Sequence, residues 1–226
     1  METECYLEPC QCNSLPKLFC AWKQKQKSDS DTNTFPKDKN GNSPCLKDFR
    51  DSFCLDGVTS LTERVPIEVD PKVHILFILK EADKKESDGS LKPETEDYFW
   101  FNCSREKPRP RYSNVIKFYM DKLNEDTNQR FGYMNLNKRG GYGQTNPSSL
   151  KSYVDEYRCF IKRQIEIMSP DIVVCCGCFG NVMNVFEKSI TGKKQRIKVK
   201  DKDVWFYDVY HPAYSRYKES GNVLET

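Results

Sequence analysis

Four short apolar runs punctuate an otherwise strongly polar chain. The first, Val73-His74-Ile75-Leu76-Phe77-Ile78-Leu79, is bounded by Pro71 and by Lys80-Glu81. That is the pattern of a strand buried on both faces of a parallel sheet. Phe131 to Leu136 predicts a short strand running into the loop Asn137-Lys138-Arg139-Gly140-Gly141-Tyr142-Gly143-Gln144. Asp171 to Cys176 predicts another buried strand with Gly177 at its end, and the aromatic-rich Val204-Trp205-Phe206-Tyr207-Asp208 predicts a fourth. Between these runs the periodicity turns helical. Leu150, Tyr153, Val154, Tyr157, Phe160, Ile161, Gln164, Ile165 and Met168 recur at helical spacing behind Asn146-Pro147, an N-cap followed by the proline favoured at the first helical position, and Ser169-Pro170 ends the pattern. Helices are also predicted from Asn114 to Leu123, burying Val115, Phe118, Tyr119 and Leu123, and from about Phe179 to Lys188. Lys193 to Lys202 is basic and hairpin-like. Lys23 to Asn42 has almost no large apolar residues and reads as a loop or disordered connector. Strands separated by helices in this order predict a right-handed, mostly parallel α/β sheet with helices on both faces.

A length of 226 residues suits one domain. We place it at residues 46–226, behind an extension and polar connector at 1–45. With 36 Lys+Arg against 33 Asp+Glu the net charge is +3, so the charge total does not single out nucleic acid and local clusters carry that question. There is no apolar run of membrane-spanning length, and Met1-Glu2-Thr3-Glu4-Cys5 lacks the features of a secretory signal. The expectation is a soluble, cytoplasmic protein that does not engage a membrane. Eleven cysteines, an odd number, fit reduced thiols better than a disulfide framework. Cys5, Cys10, Cys12 and Cys20 lack the paired-knuckle spacing of structural zinc sites and have no histidine beside them, so zinc or an iron-sulfur cluster is the minority reading and no cofactor is expected.

In open α/β sheets chemistry collects where strands end, here at Glu81, Asn135 to Lys138, Gly177 and His211. Pro212 biases His211 toward an extended backbone and so aims its imidazole. Each residue has an ordinary reading: a surface histidine, a carboxylate paired with Lys84 or Lys85, asparagines in a strand-end turn. Together, a carboxylate, an amide and an imidazole suit cleavage of an N-glycosidic bond. Glu81 would orient water and favour the sugar cation, His211 would stabilise the departing base, and Asn135 would read the base edge with a donor and an acceptor.

These residues resemble the uracil-DNA glycosylase superfamily, whose members place a strand ending in a G-E-A-P-G or G-Q-D-P-like motif first, an Asn-bearing strand in the middle and an H-P-S or H-P-A loop last. Here the three are Leu79-Lys80-Glu81-Ala82-Asp83, Tyr133-Met134-Asn135-Leu136-Asn137 and His211-Pro212-Ala213, and Pro170 to Gly177 is similar to the strand before the family's penultimate helix. The resemblance spans about Asp70 to Tyr217. It implies a three-layer α/β/α sandwich with a central, mostly parallel four-stranded sheet, and a monofunctional DNA glycosylase that flips a nucleotide from duplex or single-stranded DNA and hydrolyses its glycosidic bond without metal. Glu81 and His211 would be catalytic, and Asn135 base-reading. Phe99 or Trp100 would lie under the flipped base, and Tyr214, Ser215 and Arg216 would probe the groove. Lys80 stands for the motif glycine and Asp83 for its proline, which turns the expectation from plain uracil toward a damaged or phage-modified base.

Lys138 and Arg139, opening a glycine-rich loop, are expected to contact a DNA phosphate, although Gly140 to Gly143 also reads as a phosphate cradle for a nucleotide-level enzyme. Lys193, Lys194, Arg196, Lys198, Lys200 and Lys202 read equally as a second phosphate-facing edge or a solvated hairpin. A catalytically silent DNA- or protein-binding protein of the same fold is the remaining alternative.

Overall fold

A computed structural model describes residues 7–37, 41–42, 49–50, 52–59, 64–65, 71–83, 110–126, 129–141 and 143–212. Five α-helices occur among them: α1 (Leu15–Ser28), α2 (Pro110–Lys122), α3 (Pro147–Glu156), α4 (Arg158–Met168) and α5 (Phe179–Val185). The strands are β1 (Gly57–Thr59), β2 (Arg64–Val65), β3 (Ile75–Asp83), β4 (Phe131–Gly141), β5 (Ile172–Cys176), β6 (Lys194–Val199) and β7 (Lys202–Val209). They form one mixed sheet in the order β2-β1-β4-β3-β5-β7-β6. Neighbouring strands among β4, β3, β5 and β7 pair in parallel, while β1, β2 and β6 pair antiparallel at the margins. The protein is thus α/β, but its sheet has seven strands where four were expected, because short antiparallel segments cover both edges of the parallel strands and leave fewer bare ladder groups.

Alternation along each strand divides the core in two. Leu76, Ile78, Met134, Leu136, Val173, Cys175 and Phe206 pack with α1, α3, α4 and α5 on one face. Ile75, Phe77, Leu79, Phe131, Tyr133, Val174, Cys176, Tyr207 and Val209 pack with α2 on the other. Residues two apart on a strand share a face. That periodicity carries Glu81, Asn135 and Asn137 onto the α2 side.

The first helix alters the expected organisation. Residues 1–45 were read as an extension, yet Leu15, Leu18 and Trp22 of α1 are fully buried in the larger core. The connector beyond it contributes Phe35, also buried. The periodic stretch from 147 to 168 is two helices, not one. It breaks at Tyr157 (φ −100°, ψ 18°), whose hydroxyl donates to Asp29 at 2.8 Å. Asn146 caps α3 as expected, its side chain accepting from the Ser148 and Ser149 amides. No helix among the described residues is long and apolar enough to cross a membrane.

At the opposite end of the sheet from the expected chemistry, His74 bridges Asp171 (2.7 Å) and Glu125 (3.0 Å), and Lys202 reaches Asp171 at 2.9 Å. Partial burial alone would lower the His74 pKa, but the hydrogen bonds and charges of Asp171 and Glu125 outweigh it and hold the pKa above its ordinary value. A histidine whose pKa is raised by folding stabilises fully below its unfolded pKa of about 6.5, and that contribution disappears as pH rises through the folded value. Thermal melting of His74→Asn should therefore fall further below the unsubstituted protein at pH 5.5 than at pH 8.5.

Candidate functional site at the C-terminal edge of the sheet

Continuing the register of β3, β5 and β7 past their last paired residues sets Glu81, Cys178 and His211 at one level. Asn137 is the direct partner of Glu81, and Asn135 that of Leu79. Strand spacing puts the Glu81 and His211 backbones about 10 Å apart, with β5 between them.

Glu81 is held on its β4 side. Asn137 Nδ2 donates to Glu81 Oε2 at 3.3 Å, and Asn137 Oδ1 accepts from the Arg139 amide at 2.9 Å. Opposite the single step from Glu81 to Asp83, β4 runs four residues, from Asn137 to Gly141. This bulge brings Gly141 against the carboxylate so closely that a Cβ there would overlap the Glu81 side chain. His211 is fixed by its surroundings as well. The Gly177 amide donates to the Val209 carbonyl at 2.7 Å, and Tyr119 on α2 donates to the Tyr210 carbonyl at 3.2 Å. Gly177 has φ +69°, and a Cβ there would stand 3.3 Å from His211 Cβ and 3.4 Å from Lys80 Cε. Glycine is required at that point both by the backbone and by the space, since the Lys80 and His211 side chains both lie against it.

Asn135 is the most unusual member. Its side chain is fully buried, and among the described residues neither its oxygen nor its nitrogen has a hydrogen-bond partner. Leaving a buried amide unpaired costs about 1–3 kcal/mol, and such groups call for an explanation. Its peptide, by contrast, is gripped at both ends. The Asn135 amide donates to Asp56 Oδ1 at 2.9 Å, and Lys138 Nζ donates to the Asn135 carbonyl at 2.5 Å. Asp56 and Lys138 themselves form a fully buried ion pair, with Gln164 donating to Asp56 Oδ2 at 2.8 Å and the Lys138 ammonium 4.8 Å from the Trp22 ring. Burial pushes Asp56 upward and Lys138 downward in pKa, each toward its neutral form, against the attraction between them.

The expected phosphate contacts at Lys138 and Arg139 are overturned. Both side chains are fully buried. Arg139 donates to the carbonyls of Phe49, Arg50 and Gln26, lies 4.1 Å from the Phe35 ring and faces Asp29. Of the Gly140 to Gly143 stretch read as a phosphate cradle, Gly140 and Gly141 are buried within β4, Tyr142 lies outside the described residues and Gly143 is exposed. Phe99, Trp100, Tyr214, Ser215, Arg216 and Cys5 lie outside the described residues. Of the remaining N-terminal cysteines, Cys10 and Cys20 are exposed and Cys12 is buried. Among the described residues no group of three or more metal-ligating side chains is assembled.

A cleft of about 710 Å³ opens along the same edge, lined by Gly177, Phe179, Asn181, Lys193, Asp208 and Tyr210 among others. Glu81, Asn135 and His211 do not line it, although Gly177 and Tyr210 are neighbours of the histidine. Burial raises the pKa of Asp208, and the Lys193 ammonium works against that rise. Sequence reasoning missed Asp56 and Gly141, whose local surroundings give no hint of partners 79 and 60 residues away. No family model matches the chain, and no curated protein matches it.

Two outcomes test this geometry. Gly141→Ala should detach Glu81 from Asn137, read as a shift of the Asn137 side-chain amide resonance. Gly180→Ala, whose Cβ would meet Ile190 at an ordinary 3.6 Å, should leave it in place. Lys138→Ala strands a buried carboxylate and should cost about 3–5 kcal/mol in denaturant unfolding, with much of the loss recovered when Asp56→Asn is added.

Proposed function

We propose that the protein is a DNA N-glycosylase of uracil-DNA glycosylase-like fold, with its inner parallel strands as the central sheet of an α/β/α sandwich. It hydrolyses the bond between a flipped base and its sugar. The observation that carries this reading is the buried amide of Asn135, without a hydrogen-bond partner among the described residues, on the same face and edge of the sheet as Glu81 and His211. A base edge offers a donor and an acceptor side by side, which is what that amide lacks.

In this mechanism Glu81, oriented by Asn137, directs a water at the anomeric carbon and stabilises positive charge on the sugar. The water's oxygen bonds to that carbon and gives its proton to the Glu81 carboxylate as the glycosidic bond breaks; the bonding pair leaves with the base, which takes up the proton after departure. His211 hydrogen-bonds the base where its negative charge develops. Because Asn135 is sealed from solvent, base entry requires the site to open, and the energy of docking DNA drives that step. Removal of a damaged or modified base, with Lys80 in place of the family's glycine, remains the substrate proposal, and Tyr214, Ser215 and Arg216 its groove contacts.

A second reading rests on the same sealing. A protein of this fold whose base slot stays shut would hold DNA or a protein partner without turnover. Abasic-site formation on duplex and single-stranded DNA carrying uracil, hypoxanthine or modified cytosines separates the two. Glycosylase activity predicts product from at least one base, reduced about 10²–10⁴-fold by Glu81→Gln or His211→Asn. Absence of product from every base at ample enzyme, with DNA binding intact in both variants, establishes the binder instead.

A further inference from the structure

Strand β6 is the outer edge of the sheet, and its residues Lys194, Arg196 and Lys198 pair directly with Tyr207, Trp205 and Asp203 of β7. Directly paired residues project to the same side. That side is the α2 face, to which Tyr207 and Val209 belong and along which β7 leads to His211. Trp205 keeps 38 % of its surface exposed, unusual for an indole. The Lys194 ammonium lies 4.8 Å from the Trp205 ring and 5.4 Å from Tyr207, and the Arg196 guanidinium lies 5.8 Å from Trp205. Asp203 is the acidic member of the face and binds Arg196 at 2.8 Å. Among the paired β6–β7 residues of this face, three cations against one carboxylate leave the patch positive.

We propose that this face of the β6–β7 hairpin docks single-stranded DNA, with a base stacked on the Trp205 indole and flanking phosphates held by Lys194, Arg196 and Lys198. An exposed aromatic framed by cations is the combination that holds single strands without reading their sequence, since every base has a face to stack and every nucleotide a phosphate. A duplex offers the cations its phosphates but no free base for the indole. The cations recur at roughly 6.8 Å, two residues of strand rise, so they span about 14 Å along the edge. The choice of DNA over RNA rests on the glycosylase reading. The stacking surface itself does not.

The test is fluorescence anisotropy on the full chain with a labelled single strand, its duplex and an RNA of the same sequence, across a salt series. Trp205→Leu keeps apolar bulk but loses the aromatic face, and it should weaken single-strand binding about tenfold with an unchanged salt slope. Trp205→Phe should retain most of the affinity. The triple variant Lys194→Gln, Arg196→Gln, Lys198→Gln should reduce the slope of log affinity against log salt by about two, at roughly 0.7 per phosphate contact. Melting temperatures identify any variant that has not folded, and the conservative Trp205→Phe against Trp205→Leu comparison keeps the test decisive. Affinity and slope unchanged in Trp205→Leu and the triple variant overturn the proposal, as does tighter, Trp205-dependent binding of duplex or RNA. Excision from an oligonucleotide too short to reach the hairpin separates the two readings. Its persistence alongside unaltered strand binding sinks this surface alone. Its absence in the unsubstituted protein, with the Trp205 and salt signatures present, sinks the glycosylase reading and leaves the surface standing.

Discussion

A carboxylate and an ammonium that never meet water, Asp56 and Lys138, hold the middle of this molecule together. Burying either charge alone is prohibitive, so each is tolerable only in the presence of the other. The consequences spread along the elements that supply their neighbours. Asp56 leads into β1 and ties that margin of the sheet to the Asn135 peptide. Gln164 brings in α4, and the Trp22 ring under the ammonium brings in α1. Three parts of the chain far apart in sequence converge on one pair, and the peptide that pair clamps carries the buried amide that no described residue satisfies.

The edge above that pair depends on close approach. Gly141 lets β4 run against the Glu81 carboxylate, and Gly177 leaves room at the end of β5 for the Lys80 and His211 side chains that lie against it. Parallel strands make this possible, because all four inner strands deliver their ends to the same side. The acid and the imidazole are thereby positioned on strand ends separated by β5, with Glu81 bonded to the adjoining strand β4 and the peptide before His211 bonded to α2. The amide lies one pleat deeper on the same face.

Arg139 shows how far context overrides local character. Its guanidinium is spent on backbone carbonyls of the N-terminal region and on Asp29, with the Phe35 ring against it. Asp29 and Phe35, in the polar stretch after α1, pack against this arginine, since a buried cation with several donors needs acceptors wherever the chain can bring them. Helix α1 and the residues behind it are consequently part of the domain.

Much of the architecture was legible in the order of residues alone. The uninterrupted apolar runs at 75–79 and 172–176 have the pattern of strands covered on both sides, and the spacing behind Asn146-Pro147 is helical, because local periodicity reflects which faces are buried. The strand ends bearing Glu81 and His211 followed from those boundaries, whereas Asn135 lies inside β4, which runs on to Gly141. What the sequence alone left open depends on partners supplied from a distance. Asn137 to Gly141 has the polar, glycine-rich character of a surface loop, yet it is buried strand, because Asp56, Glu81 and the carbonyls near residues 26 and 50 satisfy it from elsewhere in the chain. The cost of burying a polar group depends on what lies opposite it, and only the tertiary structure decides that.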